Sequence, residues 1–223
     1  MSKVVLVVAA HSDDEVIGCG GTIARHVAEG DSVYAVFMAD GVSSRVDADS
    51  SAYQKRFNAT EKAKEILGIK EITFLGMPDN KMDTIAFLEI VQPLENVISK
   101  YKPSIIYTHH NGDLNVDHRL THQAVMTACR PVPGSTIEKI FSFEVLSSTE
   151  WNSVGVASFV PNWNVDISAY LVKKKAALEA YSDEMRPLPH SRSIDNIMGL
   201  ARYRGNTIGR DAAEAFMLVR SVC

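Results

Sequence analysis

The sequence predicts an α/β fold: a single doubly wound, mostly parallel, Rossmann-like sheet with helices on both faces. Two observations carry this. Short β-branched runs without polar alternation, Val4–Ala10 first among them, read as strands buried on both faces. Such runs alternate with helical segments at βαβ spacing over roughly the first two-thirds of the chain. A length of 223 residues suits one domain, residues 1–223.

Val4–Ala10 is the first strand. Gly18–Glu29 is a helix, with Ile23 and Val27 at i, i+4 and Gly30 as its C-terminal stop. Ser32–Met38 is the second strand, and the polar stretch Asp40–Ser51 is a long loop. Ala52–Leu67 is helical and closed by Gly68; Glu71–Leu75 is the third strand, followed by the turn Gly76–Asn80. Thr84–Tyr101 reads as a helix capped by Asp83 and kinked at Pro93. Ser104–Thr108 is the fourth strand, Asp117 caps a helix over His118–Cys129, and Lys139–Val145 is the fifth strand. Beyond Val145 the pattern loosens. Helices are expected over Ala169–Tyr181 and Ser193–Arg204, and an edge strand near Ala215–Arg220. Lys173–Lys175 reads as a solvated helix face, and Trp151 and Trp163 as buried.

The formal net charge of −4 gives no electrostatic reason to expect nucleic acid or an anionic membrane as partner. Cys19, Cys129 and Cys223 are odd in number and far apart, which is no disulfide framework and favours a reducing, cytoplasmic setting. Val4–Ala10 is too short to span a bilayer. Gly18-Cys19-Gly20-Gly21 lacks the G-x-G-x-x-G spacing of a dinucleotide loop, and the acids upstream would repel a pyrophosphate. These glycines read as close helix–sheet packing.

Three polar clusters follow strands: His11–Glu15, Gly76–Asn80 and His109–His118. Parallel sheets build their sites beyond the carboxyl ends of the strands, so the clusters converge on one edge. A hydrolytic zinc site needs about three nitrogen and oxygen ligands and an open position for water. His11, His118 and the pair Asp13-Asp14 supply that set, with one aspartate as ligand and the other to take the proton of the water. Two histidines and a carboxylate equally describe an Fe2+ site. Asp117, beside His118, is placed to orient an imidazole. His110, in the loop before His118, is a candidate to face substrate, and Arg192 offers a guanidinium to a substrate phosphate or carboxylate. Two rival readings are a metal-dependent phosphoesterase holding two ions and a non-catalytic sugar- or nucleotide-binding module. Binding alone needs no base, so an aspartate left over from the ligand set argues against the module.

Ala10-His11-Ser12-Asp13-Asp14-Glu15 resembles the (P/A)-H-P-D-D-E signature of the LmbE-like, or PIG-L, N-deacetylases. Asn115-Val116-Asp117-His118-Arg119 resembles their second motif, H-P-D-H, and Ala213-Glu214-Ala215-Phe216 their C-terminal segment. The resemblance implies zinc-dependent hydrolysis of an N-acetyl group on an amino sugar or sugar conjugate. It implies His11, Asp14 and His118 as zinc ligands, Asp13 as general base, and Arg56 and Asp79 as substrate contacts. It also makes a homo-oligomer an expectation. Two positions depart: Ser12 replaces the usual proline, where its backbone can still make the turn, and Asn115 is the larger change. Relatives commonly carry a histidine where Asn115 stands, which helps stabilise the oxyanion, although some sugar-modifying members have a G-D-L-N-x-D-H-R version that Gly112–Arg119 resembles; an asparagine can donate a hydrogen bond but bears no charge. The candidates for the missing donor are Asn115 itself, His110 and His190.

Overall fold

The structure, a computed structural model, describes residues 2–44, 50–153 and 155–222. Part of the loop expected over Asp40–Ser51, and Cys223, lie outside the described residues. The strands are β1 (Val4–Ala9), β2 (Ser32–Ala39), β3 (Glu71–Met77), β4 (Ile105–His109), β5 (Lys139–Phe143), β6 (Trp163–Asp166) and β7 (Ala213–Ser221). The helices are α1 (Asp14–Ala28), α2 (Ser50–Leu67), α3 (Phe87–Tyr101), α4 (Val116–Ala128), α5 (Leu171–Ala180) and α6 (Ile194–Asn206).

The strands form one sheet in the order β3-β2-β1-β4-β5-β7-β6. β1 to β5 pair in parallel, and β7 runs antiparallel between β5 and β6. The C-terminal strand is therefore interior, not at the edge as expected. The edge is β6, which is only four residues long and too short for a periodic signal. Alternate residues of β1 serve opposite faces. Val5, Val7 and Ala9 join a core with α1, α5 and α6, while Leu6 and Val8 join one with α3 and α4. The strand order reverses direction between β1 and β4, the switch point where such sheets open a crevice.

α1 starts at Asp14, not Gly18, so the acids belong to its first turn. The helix is kinked at Cys19 (φ −147°, ψ 22°), and the broken backbone bonds find buried partners. Lys174 Nζ donates to the carbonyls of Val16 (2.9 Å) and Ile17 (2.8 Å) and to Glu214 Oε1 (2.6 Å). Glu214 in turn accepts from the amides of Gly21 (2.9 Å) and Thr22 (2.7 Å), and so caps the second half of α1. Lys174 is thus 1% exposed, which corrects the reading of its segment as a solvated face. The glycines of α1 do pack as expected: a Cβ on Gly21 would stand 2.6 Å from Ile167, and one on Gly18 would collide with the ring of Phe143.

Two caps move from their expected positions. A 3-10 turn at Met82–Thr84 precedes α3, whose cap is Ala86 and not Asp83, and the helix continues through Pro93. α4 is capped by Asn115 and not Asp117. Trp151 and Trp163 are exposed, not buried. Among the described residues, no helix is long and apolar enough to cross a membrane.

Removing one member of a buried ion pair leaves the other charge uncompensated, a loss of about 3–5 kcal/mol. Lys174→Met is therefore expected to lower stability by about that amount, measured by urea unfolding. Loss of less than about 1 kcal/mol would mean that the kink in α1 does not depend on the pair.

Candidate active site

The segment after β1 turns sharply at Asp13, whose φ of +131° is a conformation that non-glycine residues rarely adopt. Strain of this kind persists only when neighbours over-determine it. Here the Asp13 amide donates to Glu15 Oε2 (2.8 Å), and its carbonyl accepts from the amides of Val16 (3.0 Å) and Ile17 (2.9 Å). Glu15 is itself held by the Tyr181 hydroxyl (2.9 Å), and burial pushes its carboxyl up to about 8. Three consecutive acids are tolerated partly because this one is held mostly uncharged near neutral pH.

The turn aims Asp13 and Asp14 at different partners. Asp14 Oδ2 faces His11 Nδ1 (3.3 Å), His118 Nε2 (3.3 Å) and His109 Nε2 (3.5 Å). Burial alone would raise Asp14, but the charge of His118 and the hydrogen bonds of His11 and His118 hold it well below the usual carboxylate range. Asp13 lies between two guanidiniums instead: Arg56 Nη2 is 3.2 Å from Oδ1 and Arg192 Nη1 is 3.2 Å from Oδ2. Burial raises the Asp13 carboxyl despite both arginines.

His11, Asp14 and His118 each offer a ligand atom within 4.8 Å of the others. Asp14 Oδ1 is buried and has no hydrogen-bond partner. Each imidazole turns one nitrogen to Asp14 and the other to a further carboxylate, the arrangement that orients histidines on metals. For His118 that carboxylate is Asp113 (3.1 Å), which is fixed by Ser148, Thr149 and the amide of Asn115. For His11 it is Asp117 (3.1 Å), with Asp79 at the same distance. Asp117 therefore orients an imidazole, but that of His11 and not that of its neighbour His118. Burial opposes protonation of both rings; the carboxylates outweigh it, raising His11 well above its usual value and His118 to about 9. A donor set this rich in carboxylates, with an orphaned oxygen at its centre, fits a divalent cation.

A second group, His11 with Asp79 and Asp117, also lies within 4.8 Å. Asp117 is less free to ligate, because its oxygens already accept from the amides of Asn80 (2.7 Å) and Met82 (3.1 Å). His109 ends β4, and its Nε2 accepts from the Ala10 amide (2.8 Å); burial keeps it neutral.

His11, Asp13, Arg56, Asp79, Asn115, His118 and Arg192 line one cleft of about 220 Å³. A larger groove of about 560 Å³ shares Arg56 and Glu184 with it. Two expected residues are not brought to the cleft. His110 is turned away, bonding the Ala157 carbonyl (2.7 Å) and packing on Phe159. His190 sits in an exposed loop, edge-on to Trp151, with Nδ1 accepting from the Arg192 amide (3.0 Å). Asn115 reaches the cleft as a structural residue. Its Oδ1 accepts from the amides of Asp117 (2.8 Å) and His118 (3.4 Å), and its Nδ2 donates to Asn80 Oδ1 (3.0 Å). Asp113, in the loop before His118, is a candidate in the sequence to support a ligand or face substrate, and it supports His118; the role of Asn80 was legible only as polarity in a loop that follows a strand.

Fold and donor set define an α/β protein with a cation-ready cleft at the switch point of its sheet. The chain belongs to the GlcNAc-PI de-N-acetylase (PIG-L) family, whose model matches residues 6–129. It is 29% identical over 185 residues to the uncharacterized deacetylase YaiS of Escherichia coli K12, covering 80% of this chain and 90% of that one. It is 24% identical over 232 residues to the diacetylchitobiose deacetylase of Thermococcus kodakarensis, covering 99% of this chain and 84% of the other. The same fold is found in GalB, the 4-carboxy-2-hydroxymuconate hydratase of Pseudomonas putida KT2440. There the TM-score is 0.77 at 21% identity, over 99% of this chain and 98% of that one. One fold thus hosts two chemistries, and the site must decide between them.

Loss of a side-chain N-cap costs about 0.5–2 kcal/mol. Asn115→Ala is expected to lower stability by about 1 kcal/mol while Asn115→Asp retains it, read from thermal unfolding. Equal unfolding temperatures for all three proteins would show that the cap contributes nothing.

Proposed function

We propose that the protein is a metal-dependent N-deacetylase that hydrolyses the N-acetyl group of an amino sugar or sugar conjugate to the free amine and acetate. Zn2+ is the ion that suits the donors best, with Fe2+ the alternative. The observation that carries the reading is the pairing of a ligand set, His11, Asp14 and His118, with an adjacent aspartate outside it. The deacetylase names of the two curated relatives support the same chemistry.

When bound, the ion supplies Lewis acidity, lowering the pKa of water and polarising a carbonyl. Asp13 takes a proton from the attacking water as the C–O bond forms and the carbonyl electron pair moves onto oxygen. When the C–N bond breaks, its electron pair stays on nitrogen, which receives the proton from Asp13. Amine and acetic acid leave, and the acid ionises in solution. Arg56 fixes Asp13 Oδ1 and is itself anchored by Ser12 Oγ (2.8 Å). Asp79, on the cleft wall, is an acceptor for a substrate hydroxyl. The 560 Å³ groove gives room for the part of a conjugate beyond the sugar.

A panel of N-acetyl sugars and UDP-linked N-acetyl sugars, assayed for released acetate with zinc and with chelator, tests the reading. Activity is expected with zinc and not with chelator. Asp13→Asn should keep the metal and lose about 100-fold or more in kcat, in the range for general base catalysis. Asp14→Ala should lose the metal itself, measured by elemental analysis. Near-normal activity of Asp13→Asn would remove the base assignment. Two ions per chain would favour the phosphoesterase.

A further inference from the structure

We propose that Arg192 is the catalytic residue that stabilises the oxyanion, in the role left open by Asn115; this rests on the deacetylase reading. The residues first considered for that role are committed elsewhere. Asn115 spends its amide oxygen on the cap of α4 and an amide hydrogen on Asn80, and it bears no charge. His110 bonds to Ala157 away from the cleft, and His190 supports its own loop. His11 and His118 belong to the ligand set.

Among the described residues, two arginines remain on the cleft wall. Arg56 is committed to other charges: Nε donates to Ser12, Nη2 lies 3.2 Å from Asp13 and Nη1 2.5 Å from Glu184, and its side chain is 8% exposed. Among the described residues, Arg192 is held at two points only. Its Nε donates to Ser147 Oγ (2.8 Å) and its Nη1 to Asp13 Oδ2 (3.2 Å). Its Nη2 has no partner among the described residues, and the side chain is 23% exposed toward the cleft.

The support of Arg192 is built, not adventitious. Ser147 stands in a left-handed turn (φ +70°) after β5. The arginine's amide is held by His190 Nδ1 and its carbonyl by the Arg186 amide (3.2 Å), one residue before Ser193 caps α6. A donor fixed in advance, carrying full charge and a spare N–H beside the base, needs little reorganisation when negative charge develops on the carbonyl oxygen.

The experiment compares wild type with Arg192→Gln and Arg192→Lys, with His190→Ala and Asn115→Ala alongside. Each is assayed for acetate release from the best N-acetyl sugar and titrated with a phosphonate analogue of the tetrahedral intermediate. Arg192→Gln is expected to lower kcat about 100-fold with little change in KM, as removal of an oxyanion donor does. Analogue affinity should fall in parallel, with metal content and far-UV circular dichroism unaltered; a merely structural role would not move analogue affinity in step with kcat. Arg192→Lys should recover part of the loss. A kcat for Arg192→Gln near wild type, an increase in KM alone, or unchanged analogue affinity would overturn the assignment. So would a larger loss in His190→Ala or Asn115→Ala. Failure of wild type to release acetate from any substrate would take the deacetylase reading, and this role with it. An active wild type beside an active Arg192→Gln would remove the role alone.

Discussion

The site hangs on one buried carboxylate oxygen. Asp14 Oδ2 accepts from the His11 amide (2.9 Å) and draws the rings of His11 and His118 to 3.3 Å, while neutral His109, whose Nε2 accepts from the Ala10 amide, packs 3.5 Å away. Those three histidines come from the end of β1, the end of β4 and the first turn of α4. A carboxylate taken out of water costs several kcal/mol unless it is closely paired, so its partners are obligatory. Meeting that requirement draws together the two strands and the helix that flank the switch point. The crevice that a doubly wound sheet opens there is thereby closed at its base by ligand atoms.

Placing Asp14 requires that α1 begin immediately after the turn and still lie flat on the sheet. Between these two requirements α1 breaks at Cys19. Lys174 from α5 and Glu214 from β7 take up the freed carbonyls and amides, and Gly18 and Gly21 let Phe143 and Ile167 approach. The C-terminal third of the chain thus supports the N-terminal motif through buried charge. That is a physical role for the glutamate in the Ala213–Phe216 segment, whose sequence resemblance to the family carried no mechanism of its own.

The central strands were legible because burial on both faces writes continuous apolar runs, and the residues that meet in the cleft because chemistry after a strand is conspicuous. What escaped prediction was set by partners distant in sequence. Lys174 reads as solvated among neighbouring lysines until the carbonyls of Val16 and Ile17 are placed beside it. Asn115 reads as a weakened catalytic residue until the first turn of α4 is seen to hydrogen-bond to it. Asp117, adjacent to His118 in sequence, points instead to His11 because the helix turns its side chain toward the β3 loop, where Asn80 and Met82 hold it. Polar side chains that satisfy backbone amides leave no periodic trace in a sequence.

Asp13 and Asp14 are the same residue type at consecutive positions, both 1% exposed, and their partners separate them. Burial raises the first from its usual value, while the imidazoles hold the second well below the carboxylate range. Divergent environments of this kind divide labour between two acids, since the more basic one accepts protons and the more acidic one stays charged as a ligand. The division depends on direction as well as energy. With φ at +131°, the turn at Asp13 sends its carboxylate toward Arg56 and Arg192, while the carboxylate of Asp14 enters the cage of histidines. Both oxygens of Asp13 face guanidiniums, so it competes poorly as a metal ligand, whereas the ion pairs of Asp14 among the described residues all fall on Oδ2 and leave Oδ1 without a cation beside it. In the proposed mechanism the arginines therefore keep the base out of the ligand set without touching the metal.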